Sequence, residues 1–313
     1  MLEKFARCDD RQFKALTGLS RQAFDKLLAV FMVCYQEMIQ QNYEQHKDKR
    51  KRKPGAGQKG RLNTLEKKLF FGLYYLKTYP TFDVLGYHFD LDRSKACTNV
   101  HQLFPVLLKA LDRLQILPKR QFSSVDELQA AFAGIAELFI DATERPHCRP
   151  QNEQAQKEKF SGKKRQHSVK NTVIATTGKM ILFLGYTIFG SKHDYSLFKT
   201  EFAPDQAWFE TFKLWVDLGY LGIKSDYQAV EIHIPHKKPR KSKANPAPTL
   251  TEAQKEENRL MSKVRVVVEH AICGLKRFNV LVAKFRNRKS HLVDDVVLLA
   301  AGLHNLMLSL NTL

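Results

Sequence analysis

Three carboxylates sit where no structural element needs one. Asp141 closes the apolar run FIDAT, Asp217 closes WVDLGY, and Glu269 lies in VVVEHA. From Arg259 to Lys289 there are nine Lys or Arg residues, and Glu269 is the single acid among them. An Asp at the end of an apolar strand is costly to bury and is not required to form the strand. Taken singly, each acid has an ordinary reading. The aspartates would cap the turn or helix that follows, and Glu269 would pair with Arg265 at i,i+4 for a few tenths of a kcal/mol. Taken together, the three match a different chemistry. Hard divalent cations such as Mg²⁺ take oxygen ligands. Two such ions about 3.5–4 Å apart can activate a water or a 3′-hydroxyl and stabilise the leaving oxygen of a phosphodiester.

The segment around Glu269 allows a geometric check. On a helix turning about 100° per residue, Glu269 falls about 40° and Lys276 about 20° from Arg265, while Val264, Val267, Val268, Ala271 and Leu275 fall on the opposite side. One stripe packs. The other carries Arg265, Glu269 and Lys276 over roughly 16 Å at 1.5 Å per residue, which suits a metal ligand flanked by two phosphate binders.

The elements that must position these acids are legible from residue 131 onward. AELFIDATE (136–144), HSVKNTVIATT and MILFLGYTIFG (167–190), FKLWVDLGYLG (212–222) and AVEIHIP (229–235) read as five strands. In this reading Asp141 ends the first and Asp217 the fourth. A turn falls at Gly178, SLFKTEFA is a short helix, and two long helices, 251–276 and 291–310, end the chain. The sum is a mixed α/β domain with helices on a central sheet. His193 and Asp194 precede the short helix, where Asp194 would act as a cap or support the site, with capping the favoured reading. Lys163, Lys164 and Arg165 lie in a loop between strands and suit a phosphate contact. Glu144 is two alternations from Asp141, and His147 beside Cys148 has no partner pair that would make a zinc site.

The first 130 residues read as helical. Ser20 is a plausible N-cap for SRQAFDKLLAVFMVCYQEMIQQ. KDKRKRKPGAGQKGR (47–61) holds eight basic residues and one acid; it is a solvated loop, or an arm in which Lys51, Arg52 and Lys53 track phosphates. NTLEKKLFFGLYYLKTYP is an amphipathic helix closed by proline. TFDVLGYHFDLDRSKACTNVHQLF then reads as helix, turn, helix. Its second helix starts after Asp92 and presents Arg93, Ser94, Lys95, Thr98 and Asn99, side chains suited to base edges and phosphates. Pro105 is expected to end it and to open another helix in its own first turn.

Composition fits this division into residues 1–130 and 131–313. Of 313 residues, 43% are hydrophobic, enough for a real core, and the net charge is +19, which points to a polyanionic partner, nucleic acid first. The five cysteines are scattered and odd in number, which fits a reducing compartment. MLEKFARCDD shows no apolar signal segment, and Val296–Leu310 is too interrupted to span a bilayer. A soluble cytoplasmic protein, working at the nucleoid and without a membrane, is expected.

The ordered blocks resemble those of DDE-type insertion-sequence transposases. The likeness is greatest to the branch grouped around insertion sequence 5, related to the Harbinger-type transposases. DATERPHCRPQNEQAQKEKFSGKKRQHSVKN is similar to that group's first acidic block, GSKHDYSLF to its G-S-x-H-D segment, and VDLGYLG to its second acidic block. Arg265, Glu269 and Lys276 match its R-(3)-E-(6)-K signature. The resemblance implies an RNase H-like catalytic domain behind a helix-turn-helix DNA-binding domain, with Asp141, Asp217 and Glu269 as catalytic and metal-binding triad. It sets Arg265 and Lys276 against double-stranded transposon-end DNA. It further implies cleavage and strand transfer with two Mg²⁺ or Mn²⁺ ions, and a homodimer on DNA that pairs the element ends. Ser262 stands where the group often has Tyr, so a tyrosine contact to a flipped base is not expected from this position. Two other functions remain open at this stage. One is a catalytically silent DNA-binding protein of transposase descent; the other is a stand-alone metal-dependent nuclease.

Overall fold

Ser20 starts the Arg21–Gln45 helix as its sequence predicts, accepting the Ala23 N–H at 3.3 Å. The structure is a computed structural model and describes residues 7–49, 60–243, 246–287 and 289–310. Its two compact units are residues 1–117 with 275–313, and residues 118–274. The predicted boundary after residue 130 falls inside the second unit, and the final segment belongs with the helical one. The Glu252–Lys276 helix runs across the division.

In the helical unit, Leu65–Thr78 is buried without interruption from Leu69 to Leu76; the helix predicted as amphipathic is over that stretch a core helix, apolar on every face. Phe82–Phe89 and Arg93–Arg113 form the helix, turn, helix. Three interactions make the turn. Asp90 takes the left-handed conformation (φ 53°), the Leu91 N–H donates to the Gly86 carbonyl at 2.9 Å, and Asp92 accepts the Lys95 N–H at 2.7 Å. Asp92 is thus the N-cap of the second helix, which starts after it as the sequence predicts. Pro105 does not end the second helix, which runs unbroken to Arg113. A proline removes one backbone donor; the face formed by Ala96, Val100, Leu103, Phe104, Leu107 and Leu111 is buried on both sides of it and keeps the helix in one piece. The helix Ser290–Ser309 closes the chain. Its stretch His291–Ser309 is long and apolar enough to cross a bilayer, but 67% of that window is buried. It serves as a core helix of this unit, with Leu292, Val296, Leu299, Leu303 and Leu306 inside.

The second unit holds a seven-stranded sheet. Its strands are β1 (Glu137–Pro146), β2 (Phe160–Ser161), β3 (Gln166–Ala175), β4 (Ile181–Leu184), β5 (Ile188–Phe189), β6 (Phe209–Trp215) and β7 (Ala229–His233). Four of the five predicted strands are present as single strands; the third, MILFLGYTIFG, is broken into β4 and the two-residue β5, and the two-residue β2 and a helix at Glu153–Lys159 were not in the sequence reading. The order is β2-β3-β1-β6-β7, with β4 and β5 also paired to β3. β1 and β3 are antiparallel, whereas β1–β6 and β6–β7 are parallel. This antiparallel meander followed by two parallel strands is consistent with the RNase H-like domain expected. The core is strongly aromatic, with Phe183, Phe198, Phe202, Trp208, Phe209 and Tyr220 packed together.

One register detail corrects the sequence reading. β1 pairs with β6 only as far as Phe139↔Trp215, but with β3 as far as Pro146↔Ser168. Asp141 therefore lies within β1 rather than at its end, two residues beyond the point where β1 and β6 part.

Two glycines in the helical unit should respond oppositely to substitution. A Cβ at Gly86 would stand 2.5 Å from the Leu91 carbonyl oxygen, whereas one at Gly72 would meet nothing within 4 Å. Gly86→Ala should lower stability by about 1–3 kcal/mol through the forced shift of the turn. Gly72→Ala should raise it by about 0.5–1 kcal/mol through helix propensity. Thermal unfolding of the two variants checks the pair of signs.

Candidate active site

Where β1 and β6 diverge, each sends an aspartate into the gap. Asp141 is half-buried on β1 and accepts the Ala142 N–H at 2.7 Å. Asp217 follows β6 by two residues and caps the short turn Leu218–Tyr220, accepting the Gly219 N–H at 2.7 Å. Its capping reading is therefore correct for one oxygen. Burial pushes the Asp141 carboxyl up to about 6; the Ala142 N–H opposes this, Asp217 adds to it, Arg265 opposes it, and Asp194 adds to it. The structure thus brings Asp141, Asp217, Asp194 and Arg265 within electrostatic reach of one another.

Asp194 does not cap its helix as expected. His193 is the N-cap, its ring nitrogen accepting the Tyr195 N–H at 3.3 Å. Asp194, free of that role, accepts from the buried Lys170 ammonium at 2.9 Å, and the same ammonium donates to the Lys192 carbonyl at 2.6 Å. Lys170 lies in β3 amid residues that are otherwise buried. A lysine inside the strand HSVKNTVIA was the available signal, since a buried ammonium requires a partner. Tyr220 is the other residue that sequence reasoning passed over. It is fully buried, and its hydroxyl has no hydrogen-bond partner among the described residues. Burial first, and then the charges of Asp141, Asp194 and Asp217, push its ionisation well above the ordinary phenol range. It remains a neutral O–H group among acids.

Glu269 is placed differently. It is exposed, and it is not among the charges that dominate at Asp141. Among the described residues, no group of three or more His, Cys, Asp or Glu is arranged to hold a metal ion. Arg265 is the residue of this helix whose charge acts on Asp141, and Glu269 follows it by one turn, about 6 Å along the axis. The Nε of Arg265 is buried and makes no hydrogen bond among the described residues. The apolar stripe is largely as predicted: Val268, Ala271 and Leu275 are buried, with Val264 and Val267 half-buried. Lys276 lies in the last turn, half-buried, and counts with the helical unit.

The other predicted contacts are scattered. Lys163, Lys164 and Arg165 are exposed in the turn between β2 and β3, with Arg165 left-handed (φ 51°). Arg93, Ser94, Lys95 and Thr98 are exposed on their helix; Asn99 is half-buried and donates to the Lys95 carbonyl at 2.8 Å. Lys51, Arg52 and Lys53 lie outside the described residues. Glu144 accepts from the Ser168 hydroxyl. Asp141 and Asp217 form an all-oxygen donor pair, and burial first, then the charge of Asp217, holds Asp141 above the ordinary carboxylate range. This pair fits a hard divalent cation, with Glu269 outside it in the arrangement described.

Two family models match the chain. One, described as DDE superfamily endonuclease, covers residues 140–305. The other, described as helix-turn-helix of DDE superfamily endonuclease, covers residues 60–112. The chain is also 30% identical, over 99% of its own length and 99% of the relative's, to a probable transposase for insertion sequence element IS702 from Microchaete diplosiphon. No solved structure matches it. The endonuclease match spans Asp141, Asp217 and Glu269, and the helix-turn-helix match spans the turn capped by Asp92. The chain therefore belongs to the DDE superfamily endonucleases, as a transposase-family member whose helix-turn-helix domain precedes its endonuclease region.

Proposed function

We propose that the protein is a DNA transposase that binds the inverted repeats at its element's ends, cleaves there, and joins the freed 3′-hydroxyl to target DNA. The observation that carries this reading is the convergence of Asp141 and Asp217 where two parallel strands part, with Arg265 beside them. DDE superfamily endonucleases use divalent metals. When bound here, two Mg²⁺ or Mn²⁺ ions would supply the Lewis acidity that activates the attacking oxygen and stabilises the leaving one.

The chain's own residues do the rest. Asp141 and Asp217 hold the cations from rigid backbone, and Glu269 is the third carboxylate, one helical turn from Arg265. Arg265, with its buried Nε lacking a partner among the described residues, offers a donor to a phosphate oxygen. Lys276 lies farther along the same helix as a second phosphate contact. Lys163, Lys164 and Arg165 present three exposed cations on one hairpin turn. The helix-turn-helix reads the end sequence through Arg93, Ser94, Lys95, Thr98 and Asn99 in a groove, and Lys51, Arg52 and Lys53 extend the basic surface. Pairing two ends calls for a homodimer on double-stranded DNA, acting in the cytoplasm at the nucleoid.

One observation favours a second reading, a catalytically silent DNA-binding protein: Glu269 is exposed and the three carboxylates do not form a group. Labelled element ends separate the two. Asp141→Asn, Asp217→Asn and Glu269→Gln should each lower metal-dependent cleavage by a factor on the order of 10² or more, as loss of a group acting in the transition state does, while end binding stays near wild type. Wild-type binding without cleavage would establish the silent reading. Cleavage that never yields joined product would make the protein a nuclease. A Glu269→Gln variant that cuts at wild-type rate would remove Glu269 from the triad.

The Asp141 carboxyl also gives a stability test. Its folded value near 6 lies above its ordinary 3.8, so the folded state holds the proton more tightly. The ionised form therefore costs stability at pH above about 6, and the cost vanishes below about pH 4. Asp141→Asn should stabilise the protein at pH 8 by about 1–3 kcal/mol and leave it unchanged at pH 4. Added Mn²⁺ should raise the wild-type unfolding midpoint and leave that of Asp141→Asn in place.

A further inference from the structure

The helical unit carries a cleft of about 870 Å³. One wall is the start of the Arg93–Arg113 helix, with Arg93, Ser94, Thr98 and His101. Another part of the lining comes from about two hundred residues later in the chain and carries Arg286, Asn287 and Lys289. That segment falls within the endonuclease match, not within the helix-turn-helix match, and its residues were not among the predicted DNA contacts.

We propose that Arg286, Asn287 and Lys289 form the second wall of the DNA-binding cleft and hold the phosphate backbone next to the bases read by the helix-turn-helix. This rests on the reading of that motif as the end-binding element.

Three features support it. The segment is anchored where it stands. The Arg286 N–H donates to the Tyr79 hydroxyl at 2.8 Å, and its guanidinium donates to the Tyr79 carbonyl at 2.7 Å. That guanidinium lies 4.4 Å from the centroid of the Tyr79 ring, and Asn287 donates to the Tyr75 hydroxyl at 2.9 Å. Tyr75 and Tyr79 are both buried, so the cleft floor fixes one wall relative to the other. The charge of the cleft is also lopsided. Arg93, Arg286 and Lys289 are exposed cations, and the one acid in the lining, Asp83, is exposed and 3.8 Å from Arg93. Finally, Lys289 stands close enough to His101 that, after burial, its charge is the next cause holding the imidazole below its ordinary value. The Nδ1 of His101 is buried without a hydrogen-bond partner among the described residues.

The ligand class follows from shape and charge. The cleft is too large for a single anion, opens beside the N-terminus of a 21-residue helix, and sets cations on both rims. A stretch of nucleic-acid backbone suits those walls. Contacts of this kind fix position and carry no sequence information, whereas the groove-facing side chains specify. The two walls should therefore fail in different ways.

Binding of the full chain to an element-end duplex and to a scrambled duplex of equal length, across a salt titration, tests this. Lys289→Ala should weaken both duplexes by the same factor, about 3–10, and flatten the salt dependence by about one phosphate contact. Lys289→Arg should restore both. Ser94→Ala with Thr98→Ala should instead reduce the preference for the element end and leave the salt slope unchanged. Lys289 is exposed, so its variants should unfold at the wild-type midpoint. Wild-type affinity and slope in both Lys289→Ala and Lys289→Glu would overturn the second wall while leaving the helix-turn-helix reading intact. Failure of the unmodified protein to bind either duplex would overturn that reading itself.

Discussion

Like charge gathered where two parallel strands part is the constraint around which residues 118–274 are arranged. Asp141 and Asp217 raise each other's energy, and Asp194 adds a third negative charge nearby. The surrounding structure meets this in separate ways. Asp217 draws on the Gly219 N–H and Asp141 on the Ala142 N–H. Lys170, buried in β3, balances Asp194. Tyr220 stays neutral near them, packed in the same aromatic cluster as Phe198, Phe209 and Tyr227. Residual cost remains at Asp141, as sites built for a cation commonly show.

The same arrangement explains the position of the Glu252–Lys276 helix. Its one basic side chain acting on Asp141 is Arg265, which lowers the cost that Asp217 imposes. An arginine and a glutamate one turn apart cannot both be nearest to the same carboxylate. In this arrangement Arg265 acts on Asp141 and Glu269 is exposed; a cation relieves Asp141, whereas a third carboxylate would add to its burden.

The helical unit depends on a different constraint: the tight turn between Phe82–Phe89 and Arg93–Arg113. The close approach at Gly86, the left-handed Asp90 and the Asp92 cap shape this turn. Tyr75 and Tyr79, at the end of the preceding helix, then bind the Arg286–Asn287 segment by hydrogen bonds. The polar ends of two buried tyrosines thus tie the last part of the chain to the helix-turn-helix.

Local chemistry determined much of this protein directly. Ser20 was recognisable as a cap, and Asp92 as the residue before a helix, because a short polar side chain before an apolar periodic run has few other uses. Four of the five predicted strands followed from apolar runs of strand length, and the packing stripe of the Glu269 helix from 3.6-residue periodicity. The family itself was visible in ordered blocks around Asp141, Asp217 and Glu269. Tertiary structure decided what depends on partners distant in sequence. Pro105 reads as a stop until one sees that the helix is buried on both sides of it. Asp141 became internal to its strand because β3 outlasts β6 as its neighbour. Lys170, Tyr220 and Lys289 acquire meaning only from charges and cavities assembled by other segments. Periodicity and capping act within a few residues; burial, charge compensation and clefts are properties of surfaces that meet only once the chain has folded.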